Sequence, residues 1–119
     1  MAFELFRAPA ADRDLDMIFE HLVESYLSLG DDLQDAVARA AARLKAIDRD
    51  MLALVRAPHQ GSLRHQISPG LRQVTKNRTI FYFKVDEAKH EVKVLAVFFR
   101  GQDHEKHILK RLGNQPGDA

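Results

Sequence analysis

Apolar residues at Leu15, Ile18, Phe19, Leu22, Val23 and Tyr26 follow the i, i+3, i+4, i+7, i+8, i+11 spacing of one helical stripe. Pro9 suits the first turn of that helix and Gly30 its end. A second stripe, Leu33, Val37, Ala40, Leu44, Ile47, Met51 and Leu54, advances in alternating steps of four and three. It begins after Asp31 or Asp32, with Gln34 or Asp35 placed as a capping-box partner, and runs to about Val55 before Pro58. A heptad seam of this kind needs a facing helix. Only Gly30 and an aspartate separate the two stripes, so the first helix folds back as that partner, and Ala36, Ala40 and Ala41 allow close approach. The pattern predicts a short opening strand, Ala2 to Phe6, then a long antiparallel helix hairpin.

Beyond Pro58 the period changes. Leu71 to Lys76, Thr79 to Val85 and Glu91 to Phe99 read as strands, with turns at Asn77 and at Asp86 to His90. Connections this short impose antiparallel pairing. A sheet covered on one face alternates apolar and polar residues. Here Ile80 to Phe83 and Val94 to Phe99 are continuous apolar runs, so both faces need cover. A short C-terminal helix, Asp103 to Leu112, offers only Ile108, Leu109 and Leu112, too little for a whole face. Phe81, Phe83, Val97 and Phe99 are therefore expected to leave surface for a partner chain; the competing reading is a two-sided core completed by the opening strand and loops. The run Gln60 to Gly70 holds either an irregular loop or a short extra strand. The fold class is α+β, in one domain over residues 1–112 with a flexible tail over 113–119.

A chain of 119 residues is long enough for one compact core. Its net charge of +1 conceals a dipolar distribution. From Arg56 to Val85 there are Arg56, Arg64, Arg72, Lys76, Arg78 and Lys84 and no carboxylate, whereas Ala11 to Asp50 carries ten acids against five bases. A basic segment of this kind either attracts an anionic partner or guards strand edges against aggregation. The absence of cysteine excludes disulfides, thiolate metal sites and a cysteine nucleophile. Met1 to Arg7 has no secretory pattern, and no apolar run approaches the roughly 20 residues a bilayer requires. The expectation is a cytoplasmic protein with no membrane association.

The order strand, two helices, three antiparallel strands carries a set of local motifs. Ala8-Pro9-Ala10-Ala11 precedes Asp14-Leu15 and Ile18, followed by Gly70-Leu71-Arg72, by Ile80 to Val85, and by Val97-Phe98-Phe99-Arg100-Gly101-Gln102-Asp103-His104. Together, over roughly Phe3 to Leu112, these resemble the RelE/ParE toxin superfamily, most closely its ParE-like plasmid-stabilisation branch. The resemblance implies the toxin of a type II toxin-antitoxin system, held inactive by a cognate, ParD-like antitoxin. Toxins of this superfamily either inhibit DNA gyrase or cut messenger RNA on the ribosome. A folding-on-binding antitoxin segment would cover apolar sheet surface while its acidic stretch met basic side chains. The residues assigned to antitoxin or target binding are Arg64, Arg72, Lys76, Arg78, Phe81, Phe83, Phe99 and Arg100. The chain offers no DNA-reading helix, so operator DNA is expected to be contacted only through the antitoxin.

RNA cleavage through the 2′-hydroxyl needs a base, a cation beside the phosphoryl oxygens and an acid for the leaving oxygen. Arg72, Lys76, Tyr82, Arg100 and His104 supply the residue types, with Arg78 and His107 as further possibilities. Arg72 and Lys76 share one side of their strand, and the hairpin register decides whether Tyr82 joins them. The stretch Gly101-Gln102-Asp103 resembles the gyrase-directed branch, so a non-enzymatic poison is favoured and no catalytic residue is assigned on that reading. His104 and His107 stand three apart beside Asp103 and Glu105, but two imidazoles are too few for a metal, and Asp103 reads as a helix N-cap. Neither metal nor other cofactor is expected. Arg100 is either a projecting functional cation or a partner of Asp103.

Overall fold

The computed structural model describes residues 2–99 and 103–113. In chain order the elements are β1 (Glu4–Arg7), α1 (Pro9–Ser28), α2 (Leu33–Leu52), a 3-10 turn (Ala53–Arg56), β2 (Ser62–Leu63), β3 (Arg72–Lys76), β4 (Thr79–Asp86), β5 (Glu91–Phe99) and α3 (His104–Ile108), which continues as a wider turn over Leu109–Gly113. The sheet order is β1-β5-β4-β3-β2. Neighbours are antiparallel except β1, which lies parallel to β5 with Leu5 opposite Val92. The sheet has five strands because the expected opening strand docks on the β5 edge beside the three antiparallel strands, and the segment Gln60 to Gly70 holds the short extra strand β2.

Local chemistry explains the boundaries. Pro9 opens α1, and Gly30 at φ 105° follows its end. Asp32 caps α2 by accepting the Asp35 N–H at 2.8 Å, which leaves Asp31 to pair with Arg39 at 2.7 Å. Asn77 and Arg78, both at positive φ, make the two-residue turn between β3 and β4. Asp103 caps α3, its side chain accepting the Lys106 N–H.

Two cores lie on opposite faces of the sheet. Phe81, Phe83, Val92, Val94 and Val97 meet Leu15, Ile18, Ile47, Met51 and Leu54 of the helix layer. Ile80, Tyr82, Ala96 and Phe98 are closed over by Ile67 and Leu71 from the 60–70 segment and by Ile108 of α3. This overturns the expected open sheet face: Phe81, Phe83 and Val97 are buried by this chain's own helices, and the opposite face by its own loop and α3. The heptad seam is realised only in part. Ala40, Ile47, Met51 and Leu54 are buried, whereas Leu33 is 63% exposed and Val37 also lies open.

Candidate functional site

The register decides which of the expected site residues meet. Arg72 lies opposite Phe83, Val74 opposite Phe81 and Lys76 opposite Thr79, so Arg72 and Lys76 project from the helix-covered face. Tyr82 lies opposite Gln73 and belongs to the other core, under α3. The four described candidate nuclease residues are thus divided between two faces. Arg72 and Lys76 are on one face, Tyr82 and His104 on the other, and Arg100 falls outside the described residues, as do Gly101, Gln102 and the tail beyond Gly113.

Under α3, the Tyr82 hydroxyl and His104 Nδ1 are 2.8 Å apart. Tyr82 is fully buried, and burial pushes its phenol up to about 12, with Arg64 opposing the shift and Glu105 adding to it. A protonated phenol can donate to Nδ1 or accept from it, and the direction follows the imidazole tautomer. Arg64 stands on the same side, bonded to the Gln73 side chain and 3.2 Å from Glu105.

The remaining basic residues are dispersed. Arg72 donates to the His59 carbonyl at 2.7 Å, and Lys84 to Ser68 Oγ at 2.7 Å. His59 itself pairs with Glu87. Arg78 sits exposed at the β3–β4 turn. The basic segment from Arg56 to Val85 is therefore spread over two sheet faces and the β3–β4 turn. Phe81 and Phe83, assigned to partner binding, lie at zero exposure in the core and present no surface. Phe99 is only partly buried and lines a cavity beside Arg43 and Arg78.

One group escaped sequence reasoning. Asp14, 7% exposed on α1, binds the Arg111 guanidinium through two contacts of 2.8 Å and accepts the Val97 N–H at 3.0 Å. Arg111 also donates to the Leu95 carbonyl at 3.1 Å. Tyr82 pairs with Ala96 while Phe83 pairs with Val94, so Leu95 is the extra residue of a β-bulge, and these side chains satisfy backbone groups around it. The only sequence signal was an acidic residue, Asp14, just before the apolar Leu15. Among the described residues no cluster of His, Asp and Glu could hold a metal ion, and no helix is long and apolar enough to cross a membrane.

No protein-family model and no curated protein matches the sequence. Solved structures do match in fold. A chromosomal ParDE toxin-antitoxin system from P. aeruginosa aligns at TM-score 0.62 and 23% identity, over 82% of this chain and 96% of that one. The RelBE2 toxin-antitoxin complex from Mycobacterium tuberculosis aligns at TM-score 0.58 and 15% identity, over 84% of this chain and 100% of that one. A mutant of the E. coli toxin RelE in the free state aligns at TM-score 0.58 and 13% identity, over 94% and 99%.

Proposed function

From the RelE/ParE toxin fold that this chain has, we propose that it is the toxin of a type II toxin-antitoxin system, neutralised by a cognate ParD-like antitoxin, and that it poisons by binding, with DNA gyrase as target. The observation that carries the binding reading is the division of the candidate proton-transfer groups and cations between two sheet faces. A cleavage site needs a cation, a base and an acid converging within about 3 Å of one phosphate. Arg72 and Lys76 point away from Tyr82 and His104, and the Tyr82 hydroxyl is committed to His104. The solved ParDE and RelBE2 structures are of toxin-antitoxin systems, which supports an antitoxin as this chain's partner. On this reading operator DNA is contacted by the antitoxin, and the chain works in the cytoplasm without membrane attachment.

The alternative is a RelE-type ribosome-dependent endoribonuclease. One observation favours it: Arg64, Glu105 and His104 stand on the same face as Tyr82, so that face holds a cation and an imidazole. The two readings separate in vitro. Purified chain is added to gyrase supercoiling reactions and, separately, to translating ribosomes carrying a defined transcript. Inhibited supercoiling with an intact transcript is expected. Transcript cuts at ribosome-bound codons with unimpaired supercoiling would establish the enzyme instead.

A further inference from the structure

Between α1, the β3–β4 turn and the end of β5 lies a cavity of about 670 Å³, within the range of sites that enclose a ligand. Its lining is largely apolar, with Met17, Ile18, Val97, Phe98 and Phe99. Arg43 and Arg78 also line it. Arg43 is held in place by a hydrogen bond to the Asn77 carbonyl, which uses one of five guanidinium N–H groups, and its guanidinium carbon lies 6.0 Å from the Phe99 ring centre. Neither Arg43 nor Arg78 has a carboxylate partner among the described residues. Asp14, the one acid among the described lining residues, is already matched by Arg111. Nearby, Asp50 accepts from the Asn77 side chain rather than from either arginine, so the cavity combines an apolar lining with two guanidiniums that have no direct carboxylate partner among the described residues.

Two ligand chemistries carry an anionic group on an apolar body: a nucleotide and an acidic peptide with a bulky side chain. A base binds such sites by stacking on an open aromatic face. Here His107 lies tilted by 30° on Phe98 at 5.7 Å, and Arg111 approaches the same ring at 5.4 Å. Phe99 is flanked by Arg43 and, edge-on, by His21. The rings are already contacted by this chain's own cationic and imidazole groups, whereas Met17 and Ile18 offer a flexible aliphatic surface suited to a side chain.

We infer that this cavity is a peptide-docking site, which takes a bulky aliphatic or aromatic side chain onto its apolar lining while flanking carboxylates of the same acidic peptide bind Arg43 and Arg78. That an antitoxin supplies such a peptide rests on the toxin reading. The binding chemistry does not.

The test is a titration of the full chain, followed by NMR at the Met17 and Ile18 methyl groups, in low salt. The probes are an acetylated, amidated Glu-Leu-Phe-Glu peptide, its Gln-Leu-Phe-Gln analogue and adenosine monophosphate. Saturable shifts of both methyls with the acidic peptide are expected, and binding of the neutral analogue should be weaker by roughly fivefold or more. Arg43→Gln and Arg78→Asn should each weaken the acidic peptide by about two- to fivefold without affecting the analogue. Met17→Gln, at a residue 65% exposed and safe for folding, should weaken both peptides alike. Equal binding of the two peptides, tighter binding of the nucleotide at the same methyls, or no shift at about 10 mM peptide would overturn the site. Because no toxicity is measured, failure here leaves the toxin reading standing, and failure of the toxin reading leaves this result intact.

Discussion

Asp14 and Arg111, 97 residues apart in sequence, face each other through two N–H···O contacts of 2.8 Å. The pair joins the second turn of α1 to the last turn of the chain's described structure across the β5 bulge. Asp14 holds the Arg111 guanidinium above its ordinary value, chiefly through their hydrogen bond. Burial opposes that effect but does not outweigh it.

Removing one partner should therefore cost more than removing both. Arg111→Ala strands a buried carboxylate and is expected to lower stability by about 2 to 4 kcal/mol, a figure reduced for the partial exposure of Arg111. Asp14→Asn combined with Arg111→Met leaves no stranded charge and should cost less than the single change. Urea denaturation of the three proteins checks the order. Loss below about 0.5 kcal/mol in Arg111→Ala would mean that the pair does not hold the C-terminal segment.

Tyr82 gives the fold an alkaline limit. Its folded value, about 12, lies above the ordinary value of 10.0, so the unfolded chain loses this proton first as pH rises. The contribution is fully present below pH about 10 and is lost as pH approaches 12, amounting to at most about 3 kcal/mol. Tyr82→Phe should flatten this part of the stability profile while costing about 0.5 to 1.5 kcal/mol at neutral pH through the lost bond to His104. Denaturation midpoints of both proteins from pH 8 to 11.5 test the slope; parallel profiles would show that Tyr82 ionises as easily folded as unfolded.

The two ends of α2 should respond differently to truncation. Ile47 is fully buried against the sheet, so Ile47→Ala is expected to cost about 2 to 5 kcal/mol. Leu44 is only partly buried and should cost less. Leu33 lies open near the hairpin tip, and Leu33→Ala should change stability by less than about 0.5 kcal/mol. Equal losses at Ile47 and Leu33 would show that the distal hairpin is covered after all.

The helix pair and three of the strands were legible because their signals are local: a 3.6-residue stripe, two caps and short turns. What governs the site is not local. The parallel pairing of β1 with β5 joins segments that flank nearly the whole domain, and the bulge at Leu95 leaves no mark in a continuous apolar run. Cover by loops over Tyr82 was only the competing reading, because Ile67 sits in an irregular segment and Leu71 was read as the first residue of a strand. The facial split was latent in the two-residue turn. Once Lys76 pairs with Thr79, Gln73 must meet Tyr82, and Arg72 and Lys76 must face the helices. The Asp14–Arg111 pair, by contrast, follows only from the folded chain.

On the proposed toxin reading, the measurement that most directly separates poisoning by binding from proton chemistry is growth inhibition by the double variant Tyr82→Phe, His104→Gln. These changes remove the phenol and the imidazole from the face where a nuclease would need them, a loss of roughly a hundredfold or more in cleavage rate. With folding checked by circular dichroism and antitoxin binding by co-purification, the double variant is expected to arrest growth nearly as strongly as the parent. A folded, antitoxin-binding double variant that no longer arrests growth, beside a parent that cuts transcripts early after induction, would contradict the binding reading.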